Sequence, residues 1–164
     1  MIFVTVGTHE QPFNRIVEYI DNLKRDGKIH DEVFIQTGYS TYEPKYCKWS
    51  KLIPYSEMEK NVADVRIVIT HGGPASFIMA LQVGKIPIVV PRQLDFNEHV
   101  NNHQVEFSMK IAERLGSIIP VVDIEELAET IKNYDYIVAD MKKSIGSNNK
   151  NFCSDFEKIV QELY

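Results

Sequence analysis

Short apolar runs, rich in β-branched residues, alternate along the chain with segments whose apolar residues recur at helical spacing. Several of these runs contain almost no polar residue, which is typical of strands that are covered on both faces of a parallel sheet. We therefore predict strands at residues 2–6, 33–37, 52–53 with their flanks, 67–70, 86–90 and 117–121.

The segments between these strands carry helix starts and ends. Pro12 is at an N1-like position ahead of a one-sided apolar stripe, which predicts the first helix. Residues 56–59 have the sequence of a capping box ahead of a short helix, and Asp123 begins a similar pattern. Gly84 and Gly116 follow helical segments, where a left-handed cap is favoured.

Alternation of strand and helix with short connections predicts a doubly wound α/β domain, with a Rossmann-like parallel sheet and helices on both faces. Ligands of such domains bind outside the carboxyl ends of the strands. This rule selects three loops as candidates for the functional site, at residues 7–11, 71–76 and 92–104.

The predicted domain covers residues 1–140, and a polar linker follows at 141–151. Residues 152–164 then predict an amphipathic C-terminal helix. Its apolar face comprises Phe152, Phe156, Ile159, Val160 and Leu163.

Composition excludes several functional classes. The formal net charge of −5 argues against a broad nucleic-acid surface, because phosphate binding depends on clustered Lys and Arg. No apolar stretch approaches the roughly 20 residues that span a bilayer. Cys47 and Cys153 imply no disulfide framework, so a cytoplasmic location is expected. Neither a dinucleotide-binding glycine fingerprint nor a P-loop sequence is present.

The segment from Thr70 to Ser76 joins a predicted buried strand to a helix and has the character of an anion site. Gly72 and Gly73 let the backbone approach a ligand closely. The helix that follows offers unpaired N–H groups and the positive end of its dipole. The hydroxyl of Ser76 adds a donor in the first turn. The alternative is that Gly-Gly-Pro merely forms a turn.

Three ordered motifs extend this pattern: His71-Gly-Gly-Pro-Ala-Ser, then Gly84-Lys-Ile-Pro-Ile-Val-Val-Pro-Arg, then Glu98-His-Val-Asn-Asn-His-Gln. With the opening Val4-Thr-Val-Gly-Thr-His, they resemble the C-terminal domain of family 28 glycosyltransferases over roughly residues 1–122. The chain is similar to the small catalytic subunits of two-component bacterial capsule and exopolysaccharide transferases. It is also similar to the catalytic subunit of the eukaryotic transferase that adds the second N-acetylglucosamine to dolichol.

The resemblance implies the C-terminal, donor-binding half of a GT-B enzyme that transfers a sugar from a UDP-sugar with inversion. Uracil would pack near residues 54–58, the diphosphate would lie on residues 71–76, and the sugar would meet the loop that ends at Asn102 and Gln104. Relatives often place a ribose-binding Glu where this chain has Met79, so ribose recognition is expected to differ. The expected binding residues are Gly7, Thr8, Tyr55, Met58, His71, Gly72, Gly73, Pro74, Ala75, Ser76, Arg92, Glu98, His99, Asn102 and Gln104.

No Asp-x-Asp sequence occurs, so neither a metal nor another cofactor is expected. Backbone donors and the helix terminus would stabilise the leaving UDP, with Arg92 as a candidate cationic aid. Inversion needs a base that takes the proton of the acceptor hydroxyl, and His9 is the candidate. Alternatively, His9 is only a polar turn residue, or the base comes from a partner. His99 and His103 share a predicted helix face and could bind zinc, but no third ligand is evident, so lining of the donor pocket is favoured.

One domain cannot form the cleft of a GT-B enzyme. We therefore expect a membrane-anchored partner subunit that carries the N-terminal half, recruits the chain to the inner face of the cell membrane and binds a lipid-linked saccharide acceptor. The apolar C-terminal helix would dock on that partner, on its own domain or in a homodimer. A non-catalytic nucleotide-binding or scaffolding subunit is the alternative. A 2-epimerase of the same fold needs two domains in one chain, so the length disfavours it.

Overall fold

The computed structural model describes residues 1–145, 158–159 and 161–162. Its centre is a sheet of six parallel strands in the order β3-β2-β1-β4-β5-β6. The strands are β1 (Ile2–Thr5), β2 (Val33–Gln36), β3 (Lys48–Ser50), β4 (Ile67–Thr70), β5 (Ile88–Val89) and β6 (Ile119–Pro120). This is the doubly wound order, in which the first strand lies near the middle, so the predicted α/β class is confirmed.

Helices cover both faces of this sheet. They are α1 (Asn14–Arg25), α2 (Tyr55–Asp64), α3 (Pro74–Gln82), α4 (His103–Leu115), α5 (Leu127–Lys132) and α6 (Tyr134–Ile145), with 3-10 turns at Leu94–Phe96 and Ile124–Glu126. Among the described residues, no helix is long and apolar enough to cross a membrane.

Strand register separates the buried side chains into two faces. Val4 is paired with Ile35 and Ile69, and all three belong to the largest core cluster. Phe3 is paired with Val68, and both belong to a different cluster. Because side chains alternate along a strand, the two clusters lie on opposite faces of the sheet. Each of these aliphatic or aromatic side chains stabilises the fold by about 1.5–3 kcal/mol.

The third strand lies earlier in the chain than the apolar pattern predicts. It is found at Lys48–Ser50, and Leu52, at the centre of the prediction, is 50% exposed beyond its end. Among the described strands, β3 lies at the edge of the sheet and pairs with β2 alone, so its side chains need not be apolar and hydrophobicity could not locate it. The other five strands lie within the predicted segments.

Two predicted helix starts are wrong and one is confirmed. α1 begins two residues after Pro12, which therefore precedes the helix. α2 begins one residue before Ser56, behind Pro54, and no side chain caps it, so the capping box does not form. Asp123 accepts a hydrogen bond from the N–H of Glu125 at 3.0 Å, as predicted, although it caps the 3-10 turn ahead of α5.

Part of the predicted linker is helical. α6 extends across the predicted boundary at residue 140, because Ile137, Met141 and Ile145 continue the apolar spacing of a helix. Residues 141–145 are therefore not a linker. The rest of that linker and most of the predicted C-terminal helix lie outside the described residues, including Phe152, Phe156, Val160 and Leu163.

The described part of the C-terminal segment packs on its own domain. Ile159 is 1% exposed and belongs to the core cluster that contains Phe77 of α3 and Phe107 of α4. Glu162 lies 2.9 Å from Lys110 and 3.0 Å from Arg114, both on α4. Of the three docking alternatives for this helix, the position of Ile159 agrees with docking on its own domain.

Candidate functional site

The loops that follow β1, β4 and β5 meet at the carboxyl edge of the sheet. These strands are neighbours, and Thr5 is paired with Thr70, which is paired with Val89. Their carboxyl ends therefore lie side by side at one level. The loops bring together His9, residues 71–76 and residues 92–104 at the edge where open α/β sheets bind ligands.

The imidazole of His71 is enclosed by two glycines. A Cβ added at Gly7 would lie 2.4 Å from its Nε2, and a Cβ added at Gly73 would lie 2.2 Å from its Cε1. Gly7 also has a φ of +76°, in the left-handed region. Neither position can take a side chain unless the ring moves, so both glycines are required by packing against His71.

The hydrogen bonds of His71 define its tautomer. Its Nδ1 accepts from the N–H of Gly73 at 3.0 Å, so this nitrogen carries no hydrogen. In a neutral ring the hydrogen is then on Nε2, which donates to Oγ of Ser76 at 3.0 Å. Burial, reinforced by the charge of Arg92, lowers the pKa of His71 to about 3, so the ring is neutral at physiological pH. The hydroxyl hydrogen of Ser76 therefore remains available to a ligand.

The first turn of α3 adds a backbone donor beside this hydroxyl. Gly73 caps the helix with φ −72° and ψ 128°, and Pro74 follows in the first turn, where its lack of an N–H costs nothing. Ala75 is exposed, and its N–H has no acceptor among the described residues. Ala75 N–H and Ser76 O–H are thus two donors at the positive end of a helix dipole, an arrangement that suits an anion.

Gln104 joins the loops after β4 and β5. Its Oε1 accepts from the N–H of Gly72 and from the N–H of Arg92, each at 3.0 Å, and the residue is buried. A Cβ at Gly72 would lie 2.8 Å from Cβ of Gln104 and 3.1 Å from Oγ of Ser108, so α4 packs directly on the glycine loop. The resemblance implied that Gln104 meets the sugar, whereas in this structure its side chain is buried and holds the two loops together.

Arg92 is a buried connector between the loops. Its guanidinium donates to the carbonyl oxygens of Val6 at 2.8 Å, Gln11 at 2.6 Å and Glu98 at 3.1 Å. The side chain is 0% exposed, and burial lowers its pKa to about 10, so it is still charged at pH 7. No part of Arg92 reaches the surface in this conformation, whereas it was expected among the binding residues and as a candidate cationic aid.

Glu98 is likewise engaged inside the protein. Its carboxylate accepts two hydrogen bonds from Arg15, at 2.7 and 3.0 Å, and a third from the N–H of Gln93 at 3.0 Å. The residue is 2% exposed, so its predicted place in the donor site is corrected to a support beneath the loop after β5.

The imidazole rings of His9 and His99 stack on one another. Their centroids are 4.8 Å apart and their planes differ by 16°, so the stack joins the loops after β1 and β5. Burial lowers the pKa of His99, which is therefore neutral at pH 7. His103, which was considered with His99 as a zinc pair, lies 3.7 Å from Glu106. The described part of the chain contains no convergent group of three metal-binding side chains.

Other predicted site residues are exposed near this edge. Thr8 and Asn102 are both exposed, and Oδ1 of Asn102 accepts from the N–H of Leu94 at 3.0 Å. Tyr55, the first residue of α2, is 67% exposed. Met58 is half-buried against the apolar cluster that Met79 also contacts. Met79, the residue for which altered ribose recognition was expected, thus packs on the core.

Sequence reasoning missed the residues that support this site. Gln11 and Arg15 contact the loop after β5, and Ser108 lies behind Gly72. Gln11 is two positions beyond His9 in a loop already selected, so polarity and proximity could have drawn attention to it. Arg15 and Ser108 are on helices and give no comparable signal.

Comparison with known proteins places the chain in a family. The family model described as the glycosyltransferase family 28 C-terminal domain matches residues 1–163. No curated protein matches the chain.

Solved structures show the same fold at low identity. The glycosyltransferase SnogD from Streptomyces nogalater is 16% identical with a TM-score of 0.55, over 89% of this chain and 39% of that one. CalG4, the calicheamicin glycosyltransferase, is 13% identical with a TM-score of 0.54, over 99% of this chain and 43% of that one. The chain thus spans about two-fifths of the length of these proteins. With its parallel sheet, it has the Rossmann-like fold of the C-terminal half of a GT-B glycosyltransferase, and it belongs to the glycosyltransferase family 28 C-terminal domain family.

Proposed function

We propose that the chain is the donor-binding catalytic subunit of an inverting, metal-independent glycosyltransferase. It would transfer a hexose or N-acetylhexosamine from a UDP-sugar to a lipid-linked saccharide in capsular or exopolysaccharide biosynthesis. The observation that carries this proposal is the tautomer of His71, which leaves the hydroxyl hydrogen of Ser76 free beside the start of α3.

A diphosphate fits the donors at this point. The Ser76 hydroxyl and the Ala75 N–H would donate to phosphate oxygens, and the dipole of α3 adds a favourable potential. These groups are held in place before a ligand arrives, because Gly7, Gly73 and Gln104 fix the ring and the loop around it. Removing one preorganised donor from a site for developing negative charge typically costs about 2.7–4 kcal/mol of transition-state stabilisation.

His9 is the proposed base. Inversion requires one displacement, in which the acceptor oxygen attacks the anomeric carbon while the bond to the diphosphate breaks. A neutral imidazole would take the acceptor proton as the new bond forms, and a positioned base contributes about 10²–10⁴-fold. His9 is half-buried in the loop after β1, next to the loop of residues 71–76, which places it at the same edge as the proposed diphosphate site.

The proposed enzyme needs a second half. The carboxyl edge of the sheet presents its donors on an open surface, and the chain spans about two-fifths of the solved proteins it resembles. A membrane-anchored partner subunit would supply the opposing half and the acceptor site and would recruit the chain to the inner face of the cell membrane. Because Ile159 is packed on its own domain, docking would use the loops at the carboxyl edge rather than that residue.

A non-catalytic nucleotide-binding subunit is the second candidate. It is favoured by Met79, which packs on the apolar cluster between α2 and α3 and offers no acceptor to ribose hydroxyls. Such a subunit would bind UDP without turning over a UDP-sugar in the presence of its partner.

Calorimetric titration with UDP tests the proposed site. Ser76→Ala removes the free hydroxyl hydrogen without filling space, and we expect UDP affinity to fall by roughly 10- to 100-fold, as for loss of a hydrogen bond to a charged group. Ser117→Ala is the matched control, because its buried hydroxyl has no hydrogen-bond partner in the part of the chain that the structure describes, and it lies near β6. Gly73→Asp would be less specific, since a Cβ there displaces the His71 ring.

Two results would contradict the assignment. Equal UDP affinity in the wild type and Ser76→Ala would place the diphosphate elsewhere. Absence of UDP binding by the chain and by its reconstituted complex would refute the nucleotide-sugar function.

A further inference from the structure

Gln11 contacts both the proposed base and the loop after β5. Its Oε1 lies 2.8 Å from Nε2 of His9, and its Nε2 donates to the carbonyl oxygen of Asn97 at 3.3 Å. Its own carbonyl accepts from the buried Arg92 at 2.6 Å. Side chain and backbone of Gln11 are therefore both held in place.

These contacts define the orientation of the Gln11 amide. A carbonyl oxygen can only accept, so the amide nitrogen of Gln11 faces Asn97 and the amide oxygen faces His9. Since that oxygen accepts, Nε2 of His9 must carry a hydrogen and donate it. In the neutral ring, Nδ1 is then the nitrogen with a free lone pair, and it has no hydrogen-bond partner among the described residues.

We propose that Gln11 is a positioning residue that holds His9 in the Nε2–H tautomer, so that Nδ1 is the atom that accepts the proton of the acceptor hydroxyl. This inference rests on the proposed role of His9 as base. Its central claim, the tautomer of His9, is measurable without turnover.

The proposed step balances as follows. The acceptor O–H bond breaks, its proton forms a bond with Nδ1 of His9, and the oxygen electron pair attacks the anomeric carbon. The bond from that carbon to the diphosphate breaks, and its electron pair leaves with UDP. His9 becomes an imidazolium whose Nε2–H still donates to Gln11.

Two other imidazoles lie close to His9. His99, stacked at 4.8 Å, and the buried His71 both have lowered pKa values and stay neutral. The guanidinium of Arg92 also acts on this cluster, and it donates to the carbonyl oxygen of Glu98, whose carboxylate is paired with Arg15. Gln11 is uncharged, so its contact with His9 is a hydrogen bond and not an ion pair.

Nitrogen NMR of the histidine side chains tests the inference. The signals of His9 in the ¹⁵N-labelled chain are identified as those lost in His9→Asn. In the neutral ring of His9 we expect Nε2 to carry the hydrogen and Nδ1 to carry none. Gln11→Met keeps the length of the side chain but removes the acceptor, so the two ¹⁵N shifts of His9 should move toward each other as both tautomers become populated. Gln11→Glu restores an acceptor, so it should retain the Nε2–H tautomer and raise the pKa of His9.

Gln82→Met, at an exposed position on α3, is the control and should leave the His9 shifts unchanged. A wild-type His9 protonated at Nδ1, or unaltered His9 shifts in Gln11→Met, would overturn the inference. In the complete transferase, Gln11→Met should lower kcat by roughly tenfold or more with little change in KM, since a positioned base contributes about 10²–10⁴-fold. Failure of both the wild-type chain and its reconstituted complex to bind UDP would refute the proposed function but leave the tautomer result standing.

Discussion

Nε2 of His71 donates to Oγ of Ser76 at 3.0 Å, and this bond directs the serine hydroxyl hydrogen away from the ring. The histidine cannot reverse the bond, because its Nδ1 already accepts from a backbone N–H and its low pKa keeps it neutral. A buried, uncharged histidine thus leaves the serine with a hydroxyl hydrogen that it does not itself accept.

If His71 acts on the ligand through Ser76, the two residues should not contribute independently to UDP binding. His71→Phe keeps an aromatic ring between the glycines and removes both hydrogen bonds. We expect His71→Phe and Ser76→Ala each to weaken UDP binding, and the double variant to bind no more weakly than the worse single variant. Calorimetric titration of the wild type, the two single variants and the double variant with UDP gives the coupling free energy between the two positions, which should be about 0.5–3 kcal/mol. Additive losses would show that His71 contacts the ligand by a separate route.

The buried His71 also makes stability depend on pH. Its pKa is about 3 in the folded chain against an ordinary value of 6.5, so between these values the unfolded chain binds a proton that the folded chain does not. The free energy of unfolding should therefore fall as pH falls below about 6.5, by at most about 1.4 kcal/mol per pH unit from this group.

Urea unfolding of the wild type and His71→Phe at about pH 7.5 and about pH 5 isolates this contribution, since the variant lacks the titrating group. The stability difference between the two proteins should shift in favour of the variant at the lower pH. An unchanged difference would mean that His71 is accessible to protons in the folded state.

The sheet could be read from the sequence where its strands are buried on both faces. β1 and β4 are fully buried, and their apolar runs located them. β3 could not be found in this way, because Lys48 and Trp49 lie on an edge strand and are exposed. The predicted capping box failed for a different reason. Its residue types are present, but the helix begins at Tyr55, between Pro54 and Ser56.

At the site, the sequence located the loops but did not show which of their residues face a ligand and which are buried supports. The glycine-rich segment and His9 lie where the topology rule predicted. Arg92, Glu98 and Gln104 have the polarity expected of ligand-binding residues, yet all three are buried and hydrogen-bonded to other loops or helices of the protein. Burial of a polar residue depends on which loops meet, and that follows from strand order rather than from local sequence.

Gly7 and Gly27 offer a matched test of packing around His71. Both have left-handed backbones, with φ of +76° and +70°, so alanine at either should cost about 1–2 kcal/mol of backbone strain. A Cβ at Gly27 meets nothing within 4 Å, whereas one at Gly7 would lie 2.4 Å from the His71 ring. Gly7→Ala should therefore lower the free energy of unfolding, measured in urea, by roughly 1–3 kcal/mol more than Gly27→Ala does. It should also weaken UDP binding. Equal effects of the two substitutions would contradict the enclosure of His71.

Substitution of Ile159 tests whether the C-terminal segment docks on its own domain in solution. It is 1% exposed beside Phe77 and Phe107, so Ile159→Ala should lower the free energy of unfolding of the isolated chain by about 2–5 kcal/mol through lost burial and a cavity. Lys158→Ala, at the exposed neighbouring position, should have little effect. If urea unfolding instead shows that Ile159→Ala leaves stability unchanged, the segment is undocked in the isolated chain, and its apolar residues are available to a partner subunit.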